Sequence, residues 1–270
     1  MYHPTIWKLD QVAADFHEMG MLAAKNAAFL LAGQFQLDLL AKSPYKTGRR
    51  FLHAQWAWAL GHIGLLHQLV RWFKKFEPKT QLVLITKRAA NIHFLNALSK
   101  HITVVGELTD DFNDEVMRNA VYFGCPDGVH NLVNFYKMIE RECAAEPALL
   151  ELTADEDLQA SVLLCELDNE DKPYVAFQAR AHSHDPSRNV TEAQIAAALE
   201  PFIARGYKVI STGLDEHPIN NKYPSVLKLP DPALASFLLN AACDQFIGSN
   251  SGAWTIAHAY RRPVQILNDY

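Results

Sequence analysis

The sequence predicts an α/β protein made of two parallel-sheet halves, and three observations carry that expectation. Short apolar segments of strand length alternate with longer segments of helical periodicity, the pattern of βαβ units. The alternation stops in an acidic, punctuated stretch between Glu146 and Lys172 and then restarts. One of the later strand segments, Gln245–Gly248, runs through a turn of serine and glycine directly into a helical pattern.

The elements follow in order. Gln11–Leu40 repeats apolar residues at helical spacing until Ser43-Pro44 breaks it. Phe51–Trp58 reads as a buried strand, and Leu65–Phe76 as a helix closed by Glu77-Pro78. Gln81–Thr86 is a strand, Asn91–Lys100 a helix and Ile102–Gly106 a strand. Phe112–Cys143 looks mostly helical, interrupted by Gly124-Cys125-Pro126-Asp127-Gly128. The acidic stretch holds Asp155-Glu156-Asp157 and marks the domain boundary, giving an N-terminal domain of residues 1–155 and a C-terminal domain of residues 156–270. In the second half, Tyr174–Gln178, Tyr207–Ser211, Ser225–Leu229, Gln245–Gly248 and Val264–Leu267 are strand segments. Between them lie helices over Thr191–Arg205, from Asp231-Pro232 to Ala242, and Gly252–Tyr260. Thr191 is the expected N-cap and Gly206 the expected stop of the first of these; Pro232 suits the first turn of the second. The chain stops at Tyr270 just after a strand segment. That pattern suits a C-terminally truncated fold, or one whose N-terminal helix covers the open sheet face.

Composition bounds the function. The chain has 270 residues, 49 % hydrophobic and 20 % charged, a globular profile large enough for two ordinary domains. Its net charge of −5 and lack of a Lys/Arg block argue against a nucleic-acid binder. Cys125, Cys143, Cys165 and Cys243 form no CxxC pair, so neither a zinc site nor a disulfide framework is expected, and buried reduced thiols are. No apolar run reaches 18 residues and Met1–Asp10 lacks the order of a signal peptide, which predicts a cytoplasmic chain with no transmembrane segment. The aromatics Trp56, Trp58, Trp72, Phe73 and Phe76 are either core or a peripheral membrane contact.

Four constellations offer chemistry. The first is Gly248-Ser249-Asn250-Ser251-Gly252, between strand and helix. Backbone N–H groups and a helix N-terminus stabilise an anion such as a diphosphate there, glycine permits close approach, and serine hydroxyls add donors. The alternative is an ordinary turn capped by Ser251. The second is the segment Arg180 to Asn189, at the C-terminal end of its strand, where ligands bind in open α/β sheets. Arg180 and Arg188 suit phosphate oxygens. His182, His184 and Asp185 lack a third ligand at usable spacing, so no metal is expected. The third is Ser211-Thr212-Gly213, at the next strand's end and followed by Asp215, Glu216 and His217. The fourth is Gly61-His62-Ile63-Gly64, where His62 is the group able to take a proton near neutral pH, or else a packing histidine. No P-loop, complete GxGxxG or GxSxG motif is present.

These residues resemble a bacterial group of glycosyltransferases encoded among surface-carbohydrate genes. The resemblance rests on Arg180, His184-Asp185, Arg188-Asn189, Gly206-Tyr207-Lys208-Val209-Ile210 and Gly213, then Phe246-Ile247-Gly248-Ser249-Asn250-Ser251-Gly252, Arg262-Pro263-Val264 and Asn268. It spans residues 174–268; Gly61-His62-Ile63-Gly64 alone extends it to the first half. It implies two Rossmann-like domains facing a central cleft, the glycosyltransferase-B arrangement. The second domain would hold a nucleotide-diphosphate sugar and the first a glycan or protein acceptor. The donor would meet Arg180, His184, Arg188, Asn189, Thr212, Gly213, Gly248, Ser249, Asn250, Ser251 and Gly252. His62, or failing it Asp185, would be the base. The donor is a substrate, and the resemblance implies neither cofactor nor metal. Two other readings stay open: a non-catalytic recognition or scaffolding module, and a sugar-nucleotide epimerase using Asp215, Glu216 and His217.

Overall fold

A computed structural model describes residues 4–21, 23–25, 27, 28, 31, 48–53, 60–85, 92–105, 120, 121, 138–168, 172–180, 189–214 and 217–268. The chain divides into two compact units, one of Met1–Ala90 with Leu98–Pro147 and one of Asn91–Ala97 with Ala148–Tyr270.

The first unit holds a parallel four-stranded sheet in the order β3-β2-β1-β4, with β1 Gly48–His53, β2 Thr80–Ile85, β3 Thr103–Val105 and β4 Ala120–Val121. The first helix differs from expectation. α1 runs over Pro4–Glu18, and Gly20 at φ +70° ends it, because a left-handed residue cannot continue a right-handed helix. β1 begins earlier than the predicted Phe51, and β4 is a strand inside the stretch expected to be helical. α2, Leu60–Phe76, is buried almost all round, so it is a core helix rather than an amphipathic one, and α3, Ile92–Ser99, follows β2 in the chain. Trp72 and Phe73 are buried in it, which assigns them to the core, while Phe76 is half exposed. Trp56 and Trp58 lie outside the described residues. Arg71 on α2 is buried and held by Glu140, by the Gln68 Oε1 at 2.9 Å and by the Cys143 carbonyl at 2.6 Å.

The second unit holds a parallel sheet in the order β6-β5-β7-β8, with β5 Tyr174–Gln178, β6 Lys208–Ser211, β7 Gln245–Gly248 and β8 Val264–Ile266. All five residues of β5 are buried, as a central parallel strand requires. Val175 and Phe177 face a core shared with Ile195 and Leu199 of α5, Glu192–Ile203. On the other face the Tyr174 hydroxyl donates to the Leu239 carbonyl of α6, Pro232–Ala242, at 2.8 Å. Burial raises the Tyr174 phenol well above its ordinary pKa.

The predicted punctuation is present. Thr191 and Gln194 form a reciprocal capping box, Gly206 takes φ +84° after α5, and Asp231 caps α6 ahead of Pro232. Two expectations fail. Ser225–Leu229 is no strand: after a single bridge from Ser225 to Ser211 the chain turns into a 3-10 helix over Val226–Lys228. The Ser225 hydroxyl accepts from the Leu227 N–H and so offers the backbone a turn instead of a ladder. The acidic stretch is not merely punctuated. It contains α4, Ala154–Leu167, opened by a capping box between Thr153 and Glu156. Among the cysteines, Cys143 and Cys243 are buried as expected, but Cys165 on α4 is exposed.

Among the described residues no helix is long and apolar enough to cross a membrane.

Candidate functional site

Strand order locates the crevice. β5 pairs with β6 on one side and β7 on the other, so the connections leaving β5 and β7 diverge. Ligands bind open α/β sheets at such a switch point, outside the carboxyl ends of the strands. Here that edge is formed by the residues after Gln178, after Ser211 and after Gly248. The structure thereby brings Arg180, Thr212, Gly213 and Gly248 to Gly252 to one edge of one sheet.

The β7 turn is built on contacts with β5. The Gln178 carbonyl accepts the Ser249 N–H at 3.1 Å. A Cβ on Gly248 would stand 2.7 Å from that same carbonyl oxygen, so only glycine fits. The Ser251 hydroxyl donates to Gln178 Oε1, so it does not cap the following helix. Asn268, beyond β8, pins the turn from the other side: its Oδ1 accepts the Asn250 N–H at 2.8 Å and its Nδ2 donates to the Asn189 carbonyl at 3.4 Å. The helix itself, α7, starts later than predicted and is short, Trp254–Ala259. Gly252 offers its carbonyl inward to the Thr255 N–H and hydroxyl.

The donors left over matter most. Among the described residues, the backbone N–H groups of Ser251, Gly252 and Ala253 have no acceptor. The Ser249 hydroxyl also lacks a partner, but Ser249 is fully buried, so it is not offered to solvent as expected of a phosphate ligand. Arg180 is 8 % exposed, buried at the end of β5 rather than reaching freely into solvent.

A buried polar network holds the β6 end. The Thr212 hydroxyl donates to Asn240 Oδ1 at 2.8 Å, and the Ser236 hydroxyl donates to the Thr212 carbonyl at 2.8 Å. The Ser211 hydroxyl donates to Asn220 Oδ1 at 2.7 Å. The Thr212 hydroxyl, which also lies 3.2 Å from the Phe177 carbonyl, is thus engaged inside the fold, between β5 and α6.

His62 lies in the first turn of α2, in the first unit, not in a strand-to-helix turn as expected. The helical periodicity simply begins five residues earlier than Leu65. Its side chain lies outside the described residues, as do His182, His184, Asp185 and Arg188 entirely. His217 is buried with both ring nitrogens used: Nε2 donates to the Val190 carbonyl at 3.2 Å and Nδ1 accepts the Ile219 N–H at 3.3 Å. Such a histidine has no nitrogen left for proton transfer, which removes the specific motive for an epimerase; Asp215 and Glu216 lie outside the described residues. No group of three metal-ligating side chains occurs among the described residues.

Sequence reading missed Gln178 and Asn240 as site-building residues. A polar residue at the last position of an otherwise apolar strand was the available signal for Gln178; Asn240, in an apolar helix, was the signal for a buried polar contact.

No family model matches the sequence, and no curated protein matches it significantly. Solved structures do. The chain is similar to ADP-heptose lipopolysaccharide heptosyltransferase II of E. coli, at a TM-score of 0.52 and 14 % identity over 81 % of this chain and 83 % of that one. It is similar also to a family 9 glycosyl transferase of Veillonella parvula, at a TM-score of 0.52 and 11 % identity over 80 % and 79 %. At such identities the likeness is one of fold. The fold is α/β, two Rossmann-like parallel-sheet units of the glycosyltransferase-B type.

Proposed function

We propose that the chain transfers a sugar from a nucleotide-diphosphate donor to a glycan or protein acceptor. The observation that carries the reading is the Ser251 to Ala253 run of backbone donors without acceptors, at the switch point of the second sheet. A diphosphate supplies the missing acceptors. In this reading residues 156–270 hold the donor, with Arg180 and Arg188 adding charge-assisted hydrogen bonds, and residues 1–155 receive the acceptor. The acceptor hydroxyl attacks the anomeric carbon, its proton passes to a base, and the bond to the diphosphate breaks. His62 is the assigned base and Asp185 the alternative. Amides and guanidinium groups aimed at the leaving diphosphate lower the barrier by stabilising charge that grows in the transition state.

One structural neighbour carries ADP-heptose in its name, so ADP is the first nucleotide to test. Calorimetric titration with ADP, UDP, GDP and CDP should show saturable binding to one of them, weakened roughly tenfold or more by Arg180→Ala. No heat with any of the four, or affinity unchanged by that substitution, rejects the reading.

A further inference from the structure

Gln178 touches every loop that builds the candidate site edge. Its carbonyl oxygen accepts the Ser249 N–H, and it stands where no Cβ on Gly248 is tolerated. Its Cγ lies 3.1 Å from where a Cβ on Gly213 would be, so the side chain lies against the β6 loop. Its Oε1 receives the Ser251 hydroxyl from the β7 loop. The residue is 8 % exposed, so these contacts are made inside the fold.

We propose that Gln178 is a positioning residue that couples the β6 and β7 loops and sets the orientation of the Ser251 hydroxyl. The inference deepens the nucleotide-sugar reading and rests on it for its ligand. A hydroxyl has one proton and two lone pairs. With the carboxamide oxygen facing Ser251, that proton is committed to Gln178 and the hydroxyl cannot donate to a phosphate. With the carboxamide turned over, Nε2 donates to Ser251 and the proton is released toward an anion. The two orientations of an amide occupy the same volume, so the exchange needs no movement of the backbone. Binding of a diphosphate selects the second orientation. Gln178 is thus not a ligand of the donor. It acts through Ser251, while its Cγ against Gly213 keeps the side chain seated between the β6 and β7 loops.

The test is a double-mutant cycle on ADP or whichever diphosphate binds, joined to backbone amide spectra. Gln178→Leu keeps the volume and removes the hydrogen bond; Ser251→Ala removes its other half. Ser251→Ala, which removes the hydroxyl, is expected to weaken diphosphate binding about tenfold; Gln178→Leu, which removes only the Nε2 donor that turns the hydroxyl proton outward, weakens it by less, and the double variant no more than Ser251→Ala alone, since Gln178 acts only through Ser251. In Gln178→Leu the amide resonances of both Gly213 and Ser251 should move. In Gln178→Glu, which keeps the shape and the acceptor oxygen, both should return toward their original positions while diphosphate binding stays weak, because Glu cannot turn over to donate. Additive losses, or a Gly213 resonance unmoved by Gln178→Leu, overturn the proposal. If the unaltered chain binds no nucleoside diphosphate, the nucleotide-sugar reading fails, and the Gly213 and Ser251 resonances alone decide whether Gln178 couples the loops.

Discussion

The Gln178 carbonyl oxygen sits 2.7 Å from the point a Cβ on Gly248 would occupy, closer than such atoms approach in folded proteins. The neighbours cannot give way easily, because the oxygen belongs to the backbone of the central strand. Gly248→Ala should therefore push β7 from β5 and cost about 1–3 kcal/mol, the usual price of overpacking a rigid site. Urea melts of the two proteins measure it. A variant of unchanged midpoint would show that the strands separate without penalty.

The Thr212 and Asn240 pair makes a second, sharper prediction. Asn240→Ala removes the nearer acceptor of a buried hydroxyl, leaving it the Phe177 carbonyl at 3.2 Å, and should cost about 1 kcal/mol. Replacing both members together, Thr212→Val with Asn240→Leu, should cost less than the sum of the two single changes, because no buried polar side chain is then left without its partner. Equal and additive losses would mean that the two side chains do not interact.

Buried Arg71 pairs with the partly exposed Glu140 in the first unit. Glu140→Ala leaves the buried guanidinium without its carboxylate, though still bonded to Gln68 and the Cys143 carbonyl, and should destabilise that unit by about 1.5–3 kcal/mol. Replacing both members with apolar residues, Arg71→Met with Glu140→Leu, should recover most of that loss. Thermal unfolding of the single and double variants distinguishes the cases.

Alkaline pH should unfold the second unit by a defined route. Burial raises the Tyr174 phenol, raises the Tyr260 phenol, and pushes the Cys243 thiol from 9.0 up to about 12. Each group stays protonated in the fold after the unfolded chain has lost the same proton. Their contribution is whole below the unfolded values and is lost as pH rises toward the folded ones. Stability should therefore fall from about pH 9 upward, at most by about 1.4 kcal/mol per pH unit for each group. Cys243→Ala should make the decline shallower. Stability that holds flat between pH 8 and pH 11 would contradict the assignment.

Much of the second unit was legible in the sequence because its signals are local. The apolar run of Tyr174–Gln178 marked a strand, and all five of its residues are buried. Thr191, Gly206 and Asp231-Pro232 marked helix ends through bonds made within a few residues of themselves. The same local logic was available at Thr153 and Glu156, where the run of acidic residues masked a capping box. At Ser225 it worked against the reading, since an apolar segment of strand length turned on its own serine hydroxyl.

The sequence by itself determined that a strand would run into a serine and glycine turn at Gly248 to Gly252. Only the tertiary structure decided what that turn meets. Gln178 and Ser251 are 73 positions apart, and their contact depends on β7 pairing with β5 rather than with β6. Strand order is a property of the whole sheet, set by which faces the connecting helices bury, and no spacing within either segment encodes it. For the same reason one of the two serines expected to add a hydroxyl donor, Ser249, is sealed inside, while a glutamine at the end of an apolar strand joins the loops.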